Sequence, residues 1–279
     1  RTHTPRNLSL LTFKSVQAIL ATMCSRQSLD MHRSESTQNN WTLEQSDFLQ
    51  DAVDRIFNTD AAGAALLGMS FSLTIADPQV EGCPLIGCST GFTTLCGYEM
   101  ADIVGYNCRF LVDPVPAEHV DQKIRRRCRD FCMAAIEGPN YKMPSDEIDD
   151  WLPKNRPSNE LIAAQKNARK DGSLFDSLFL MRIIGLGDFD NERFYIIALQ
   201  SELPGGKADL PLLCKHLNQL DKNMAKVERV LSKDFIISGC MRRQDVDSDD
   251  EHFNLTDVGL ADKKVCQGFH MEQPLVESA

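Results

Sequence analysis

A chain of 279 residues suffices for one domain of ordinary size with extensions, and 42% hydrophobic with 25% charged residues is the balance of a globular protein. The formal net charge of -10 argues against nucleic acid as the main partner. No apolar run approaches the roughly 20 residues needed to cross a bilayer, so no membrane span is expected.

Residues 1–40 read as a disordered leader. Its first 29 residues hold no acid, with Arg1, Arg6, Lys14 and Arg26 set among serines and threonines. That composition suits an organelle transit peptide and a disordered leader equally well. Residues 41–69 form an N-terminal flanking helix region. Thr42 and Gln45 make a capping box, and Leu49, Ala52, Val53, Ile56 and Phe57 share one helical face.

The pattern changes at Phe71. "FSLTIADP" predicts a strand stopped by Asp77-Pro78, and "PLIGCS" a second. Short helical turns follow in "TGFTTLCGY", "EMADIVG" and "CRFL", and a longer helix runs from about Ala117 to Met133. Residues 134–159 are crowded with Pro139, Pro144, Pro153, Pro157 and acids, and predict a surface insertion. Three more strands are expected over 160–167, 174–184 and 193–201. The domain at 70–203 is therefore α+β: a five-stranded antiparallel sheet covering one side of a pocket, with helices as the other wall.

Residues 204–238 contain a C-terminal amphipathic helix. Asp209 is its N-cap, and Leu210, Leu213, Leu217, Leu220, Met224, Val227 and Leu231 alternate at intervals of three and four, the seam of a coiled coil. That seam can cover the domain's own sheet or pair with another helix. The acidic tail, 239–279, reads as disordered.

Ten cysteines stand at 24, 83, 88, 96, 108, 128, 132, 214, 240 and 266 with no CxxC pair. This scatter points to a reduced intracellular compartment, the cytoplasm first, rather than to a disulfide framework. Cys128 and Cys132 sit four apart on a helix, but no second ligand pair completes a metal site, so core packing is expected of them. Cys108 has no histidine close in sequence to serve as a base, which argues against a cysteine hydrolase. Arg109 and Arg125 can converge on one anion, the double guanidinium fork that suits a phosphate, or can be solvated surface charges. Asn107, Asn167 and Gln200 are amides near or within apolar elements. A polar ligand can satisfy them, and capping serves Asn107 equally well.

Taken together, residues 71–203 resemble a LOV domain, the flavin-binding, light-sensing branch of the PAS family. The most specific piece is "GYNCRFL" at 105–111; "ADP" at 76–78, "CPLIGCSTGFTTLCGY" at 83–98, "QKIR" at 122–125, "KNARKDGSLF" at 166–175 and "FYIIALQ" at 194–200 support it in order. The resemblance implies a blue-light photoreceptor module in which the Cys108 thiol adds reversibly to photoexcited flavin. It also implies that Asn107 meets the ribityl chain, Arg109 and Arg125 the phosphate, and Asn167 the pyrimidine edge. Gln200 hydrogen-bonds the ring and relays its change of protonation. The compact loop between "CRFL" and "QKIR" favours FMN over FAD. Two positions depart from the family pattern: Val112 replaces a glutamine, and Ser177 replaces a second asparagine.

No kinase, DNA-binding or nucleotide-cyclising motif is visible, and no glycine loop opens a helix to cradle a dinucleotide phosphate. The chain thus reads as a sensor rather than an enzyme. Its expected partners are a second copy, through helix 209–233, or a separate effector protein. The alternative is a non-photochemical PAS-type ligand-binding or protein-interaction domain in which Cys108 is packing.

Overall fold

The computed structural model describes residues 43–57, 62–137, 152, 156–187, 192–204 and 209–239. The leader, the Thr42 cap, Trp151 with most of the 134–159 insertion, and the tail from residue 240 lie outside the described residues.

The elements follow in this order: α1 (Leu43–Phe57), α2 (Ala62–Leu67), β1 (Ser72–Ala76), β2 (Leu85–Cys88), α3 (Thr90–Cys96) and α4 (Met100–Ile103). Two 3-10 turns, Cys108–Leu111 and Ala117–His119, lead into α5 (Gln122–Glu137). After the insertion come β3 (Glu160–Ala168), β4 (Leu174–Leu186), β5 (Arg193–Glu202), α6 (Leu210–Leu231) and β6 (Ile237–Gly239). The sheet is antiparallel in the order β2-β1-β5-β4-β3. Two consecutive hairpins, β1–β2 and β3–β4–β5, are joined through the β1–β5 pairing, which brings the ends of the domain together at the sheet's centre.

The five-stranded antiparallel sheet is as expected, and two boundaries differ. A short β6 also pairs with β4 through Ile184↔Gly239 and Leu186↔Ile237 beyond the end of β3, so residue 239 closes a strand. Three residues are too few for alternation to be read. The long helix begins at Gln122 instead of Ala117, because Pro116 opens a separate turn. Asp121 then restarts the helix by accepting from Lys123 N and Ile124 N at 3.0 and 3.2 Å.

Strand alternation divides the apolar residues between two cores. One face packs α3, α5 and the Cys108 turn over Leu161, Ala163, Phe179, Met181, Ile183 and Ile196. The opposite face carries Leu73, Ile75, Ile162, Leu178, Leu180, Ile197 and Leu199, and α1, α2 and α6 cover it. α1 docks through the predicted face, with Phe57 lying so close over Gly87 of β2 that a Cβ there meets its ring at 2.1 Å. α6 docks through its seam. Leu213, Leu217, Leu220, Met224, Val227 and Leu231 are all buried on the chain's own sheet, and Leu210, in the first turn, stays 53% exposed. With α6 docked, these six side chains face the sheet, so pairing with a second copy through helix 209–233 requires the helix to leave it.

Candidate functional site

Directly opposed residues of an antiparallel pair point to the same side of the sheet. The register Ser72↔Gln200↔Phe179↔Ala163 therefore lays one rung across β1, β5, β4 and β3 on the α3–α5 side. A neighbouring rung holds Ser177 opposite Gln165, and Asn167 follows two residues on. Two hydroxyls and three amides thus interrupt an otherwise apolar face.

Their hydrogen bonds are incomplete. Asn167 is buried, and its Oδ1 accepts from Gln165 Nε2 at 3.2 Å. Ser72 Oγ, Ser177 Oγ and Gln200 Oε1 are buried and make no hydrogen bond. Buried polar atoms are paired in the great majority of native structures, and each orphan carries a desolvation cost of about 1–3 kcal/mol. These three orphans lie on adjacent rungs of one face, toward the same helical layer.

The Cys108 turn forms the facing wall. Leu111, at its end, joins the same apolar cluster as Phe179 and Ile196. The turn is fixed from its first residue: Asn107 Oδ1 accepts from Arg109 N at 3.0 Å, and Asn107 Nδ2 donates to Gly82 O at 2.6 Å and Cys83 O at 3.3 Å. The Asn107 side chain thus holds the turn to the β1–β2 connection. Val112 closes the turn, its N–H donating to Arg109 O at 2.7 Å, and is half-buried with no polar group to offer the pocket.

Cys108 opens this turn as an exposed free thiol. Burial pushes its pKa up to about 12; Cys132 adds to the rise, and Arg109 opposes it. The thiol is therefore protonated at neutral pH. Cys83, Cys128 and Cys132 surround it, each close enough to influence the titration of at least one other.

Arg109 and Arg125 meet through Asp113. Asp113 N donates to Arg109 O at 2.8 Å, and its carboxylate lies 3.6 Å from Arg125 Nη2. Both guanidiniums stand at the surface, at the open end of the Cys108 turn. Gln200 and Asn167 thus share the sheet face that the α3–α5 layer covers, the Cys108 turn packs on that face through Leu111, and Asn107 holds the turn in place. Ser72 and Gln165 were missed by sequence reading. Period-two alternation along β1 and β3 was the available signal, but it becomes informative only once the strand register is known. Among the described residues no group of three His, Cys, Asp or Glu side chains can hold a metal ion, and no helix is long and apolar enough to cross a membrane.

No family model matches the chain. Among curated proteins it is 27% identical over 164 residues to blue-light-activated histidine kinase 2 of Erythrobacter litoralis, an alignment covering 57% of this chain and 36% of that protein. It is 37% identical over 71 residues to phototropin-2 of Oryza sativa subsp. japonica, covering 24% of this chain and 8% of that protein. The similarity to these two proteins supports a LOV domain in this chain, with "GYNCRFL" spanning the Cys108 turn. Among solved structures, the LOV domain of the blue-light-activated histidine kinase EL346 from Erythrobacter litoralis is 27% identical, covers 50% of this chain and 99% of that one, and superposes with a TM-score of 0.34. The chain spans about a third of the length of the bacterial relative and under a tenth of the plant one.

Proposed function

We propose that this chain is a blue-light sensing module that holds FMN between the sheet and the α3–α5 layer, with Cys108 as its photoreactive thiol. The observation that carries the reading is the trio of orphaned oxygens, Ser72 Oγ, Ser177 Oγ and Gln200 Oε1, on the sheet face against which the Cys108 turn packs. An isoalloxazine ring presents a polar edge to such groups and a flat apolar body to Phe179, Leu111 and Ile196. When bound and lit, flavin supplies an electrophilic carbon within the ring. Cys108, protonated at neutral pH, provides both the sulfur that bonds and the proton that must follow, so no separate base is required. Gln200 holds an amide, able to accept or donate, against the ring edge, and amide rotation exchanges those roles. Asn167 orients the other polar edge. Arg109 and Arg125, both exposed near the Cys108 turn, would hold the single terminal phosphate of FMN.

The backbone of β5 carries the response onward. Ser201, next to Gln200, points to the opposite face and bonds Nδ1 of His216 on α6 at 2.5 Å. A change of strain at Gln200 thereby reaches the docked helix through one peptide. The module acts as a sensor without chemistry of its own on a substrate, and its output passes to a second copy or an effector chain.

An absorption spectrum before and after blue illumination tests this reading. The chain purified with or reconstituted with FMN is expected to be yellow, to bleach reversibly under blue light, and to stop bleaching in Cys108→Ala while remaining yellow. A colourless chain in the presence of excess FMN would favour the plain PAS-type binding domain.

A further inference from the structure

Helix α5 buries Ile124, Phe131, Ala134 and Ala135 against the sheet and turns a second stripe outward. Arg126, Arg129, Met133 and Ile136 follow at intervals of three, four and three, so they form one row along the helix. All four are exposed, Met133 by 39% and Ile136 by 49%. The row is cationic in its first half and apolar in its second. Lys123, Arg125 and Arg127 bring the bases over residues 123–129 to five, in a chain whose net charge is -10. Arg125 has Asp113 at 3.6 Å, whereas among the described residues no ion pair engages Arg126 or Arg129. Such a face fits a segment that is first acidic and then apolar.

The chain itself holds that segment. Beyond Gly239 the sequence reaches Asp245, Asp247, Asp249, Asp250 and Glu251 with no base among them, and then Phe253 and Leu255. Its point of attachment is close to α5. Ile162 O accepts from Arg127 Nη2 at 3.5 Å, which ties α5 to the β3 edge of the sheet. Gly239 and Ile162 stand opposite Ile184 and Leu180 of β4, four residues apart, or roughly 14 Å at the rise of a strand. Each residue of extended chain adds roughly 3.4 Å, so Asp245 and the acids after it can reach the helix. The chain's other acidic run, Asp146 to Asp150, is tied to the opposite face by Leu152, which is buried in the cluster beneath α1, α2 and α6.

We propose that residues 245–255 dock along the outer row of α5, with the acids on Arg126 and Arg129 and with Phe253 and Leu255 on Met133 and Ile136. Row and segment both pass from charged to apolar in chain order, so the segment runs parallel to the helix. From Arg126 to Ile136 the helix advances about 15 Å, a length that the chain from Asp249 to Leu255 covers. Charge brings the segment in, and the apolar pair fixes its register. While it is docked, the row is closed to acidic segments of other chains. Raised ionic strength or a stronger polyanion opens it, because these are surface charges that salt screens. Neither flavin nor light enters into this contact.

The test uses the full chain in the dark, carrying Arg126→Lys and Arg129→Lys, which keep the charges and supply amines. A carbodiimide joins an amine to a carboxylate in contact with it, and digestion with mass spectrometry locates each link. The expected links run from positions 126 and 129 to the acids of 245–251, within one chain when isotopically light and heavy protein are mixed. Their yield is expected to fall at least about threefold in about 1 M salt, where a charge acts over only about 3 Å. Met133→Ser with Ile136→Ser is expected to lower it as well, and an unchanged yield there overturns the apolar half of the contact. A charge exchange provides the second arm. With Arg126→Glu, Arg129→Glu, Asp249→Lys and Asp250→Lys together, the acids and amines trade places, and links between the same positions are expected again. Far-UV circular dichroism confirms that each variant is folded. Links that run instead to Asp146–Asp150 or to a second copy, or the absence of links in both arms, overturn the docking. A colourless chain that still gives the expected links removes the flavin reading and leaves this contact standing.

Discussion

Asp77 ends β1 as a fully buried carboxylate, and its two oxygens fare differently. Oδ1 accepts from Gln79 N at 2.8 Å, while Oδ2 has no hydrogen-bond partner. Burial raises its pKa above the ordinary value of 3.8, and the Gln79 N–H and the charges of Arg193 and Arg55 only partly offset that. The raised value means that the folded chain binds more protons here than the unfolded chain does. The group's stabilising contribution is thus present below the unfolded value and lost as pH rises through the folded one. At neutral pH the buried charge is a net cost. Asp77→Asn keeps the acceptor for Gln79 and removes the charge, so it is expected to stabilise the domain at pH 7 by on the order of 1 kcal/mol, raising Tm by about 2–4 °C. The gain should shrink as the pH is lowered toward the ordinary aspartate range. Thermal melts of both proteins across that range decide it, and a lower Tm for the variant at pH 7 counts against it. Sequence reading took Asp77 for a strand terminator and left Asn107 open between a cap and a ligand contact. Both side chains serve the backbone, and nothing in the neighbouring residues distinguishes an amide that caps from one that binds.

The elements were legible where their periodicity was long. The six seam residues of α6 and the apolar face of α1 could be read directly, as could the five main strands, because burial on one side imposes a period that survives in the residue order. What the order of residues leaves open is which surface a stripe covers. The α6 seam fits a partner helix and a sheet equally well, and the choice is settled by charges distant in sequence. Arg156 forks onto Asp221 at 3.0 and 2.8 Å and reaches Glu160 at 3.0 Å, while Arg182 bridges Glu160 and Glu228. Glu160, with a side chain only 1% exposed, is shared by both arginines, so the clasp fastens α6 to β3 and β4 at two points. Arg182→Met leaves that buried carboxylate to Arg156 alone, and removing one partner of a partly buried network costs about 1–3 kcal/mol. Hydrogen exchange is expected to quicken across 210–231 and to stay unchanged in α5, on the other face. Equal protection of α6 in both proteins would show that its apolar seam alone sets its docking.

At the scale of the whole molecule, the energies constrain how a light signal can leave the domain. Six buried seam side chains hold α6 with an upper-bound stabilisation on the order of 10 kcal/mol. Coupling between a ligand site and a distant element is typically about 1–3 kcal/mol. Strain arriving through Ser201 and His216 therefore loosens the helix without freeing it, unless something else covers the exposed seam. A second copy does so, because the same residues repeat at the spacing of a coiled coil, and its contribution grows with protein concentration by mass action. Light-driven association of the FMN-loaded chain is therefore expected to depend on concentration: an unchanged hydrodynamic radius in dilute samples, and a dimer that grows with illumination in concentrated ones. Leu210 separates this from direct undocking. It belongs to the seam yet is 53% exposed while α6 is docked, so Leu210→Lys spares the dark fold and places charges against each other only when two seams meet. Sedimentation velocity in dark and light should give matching monomers for wild type and variant in the dark and a weaker light-induced dimer for the variant. A light-induced change of radius that persists at the lowest concentration, and that Leu210→Lys does not touch, would mean that α6 detaches on its own and that its docking is far weaker than its buried seam implies.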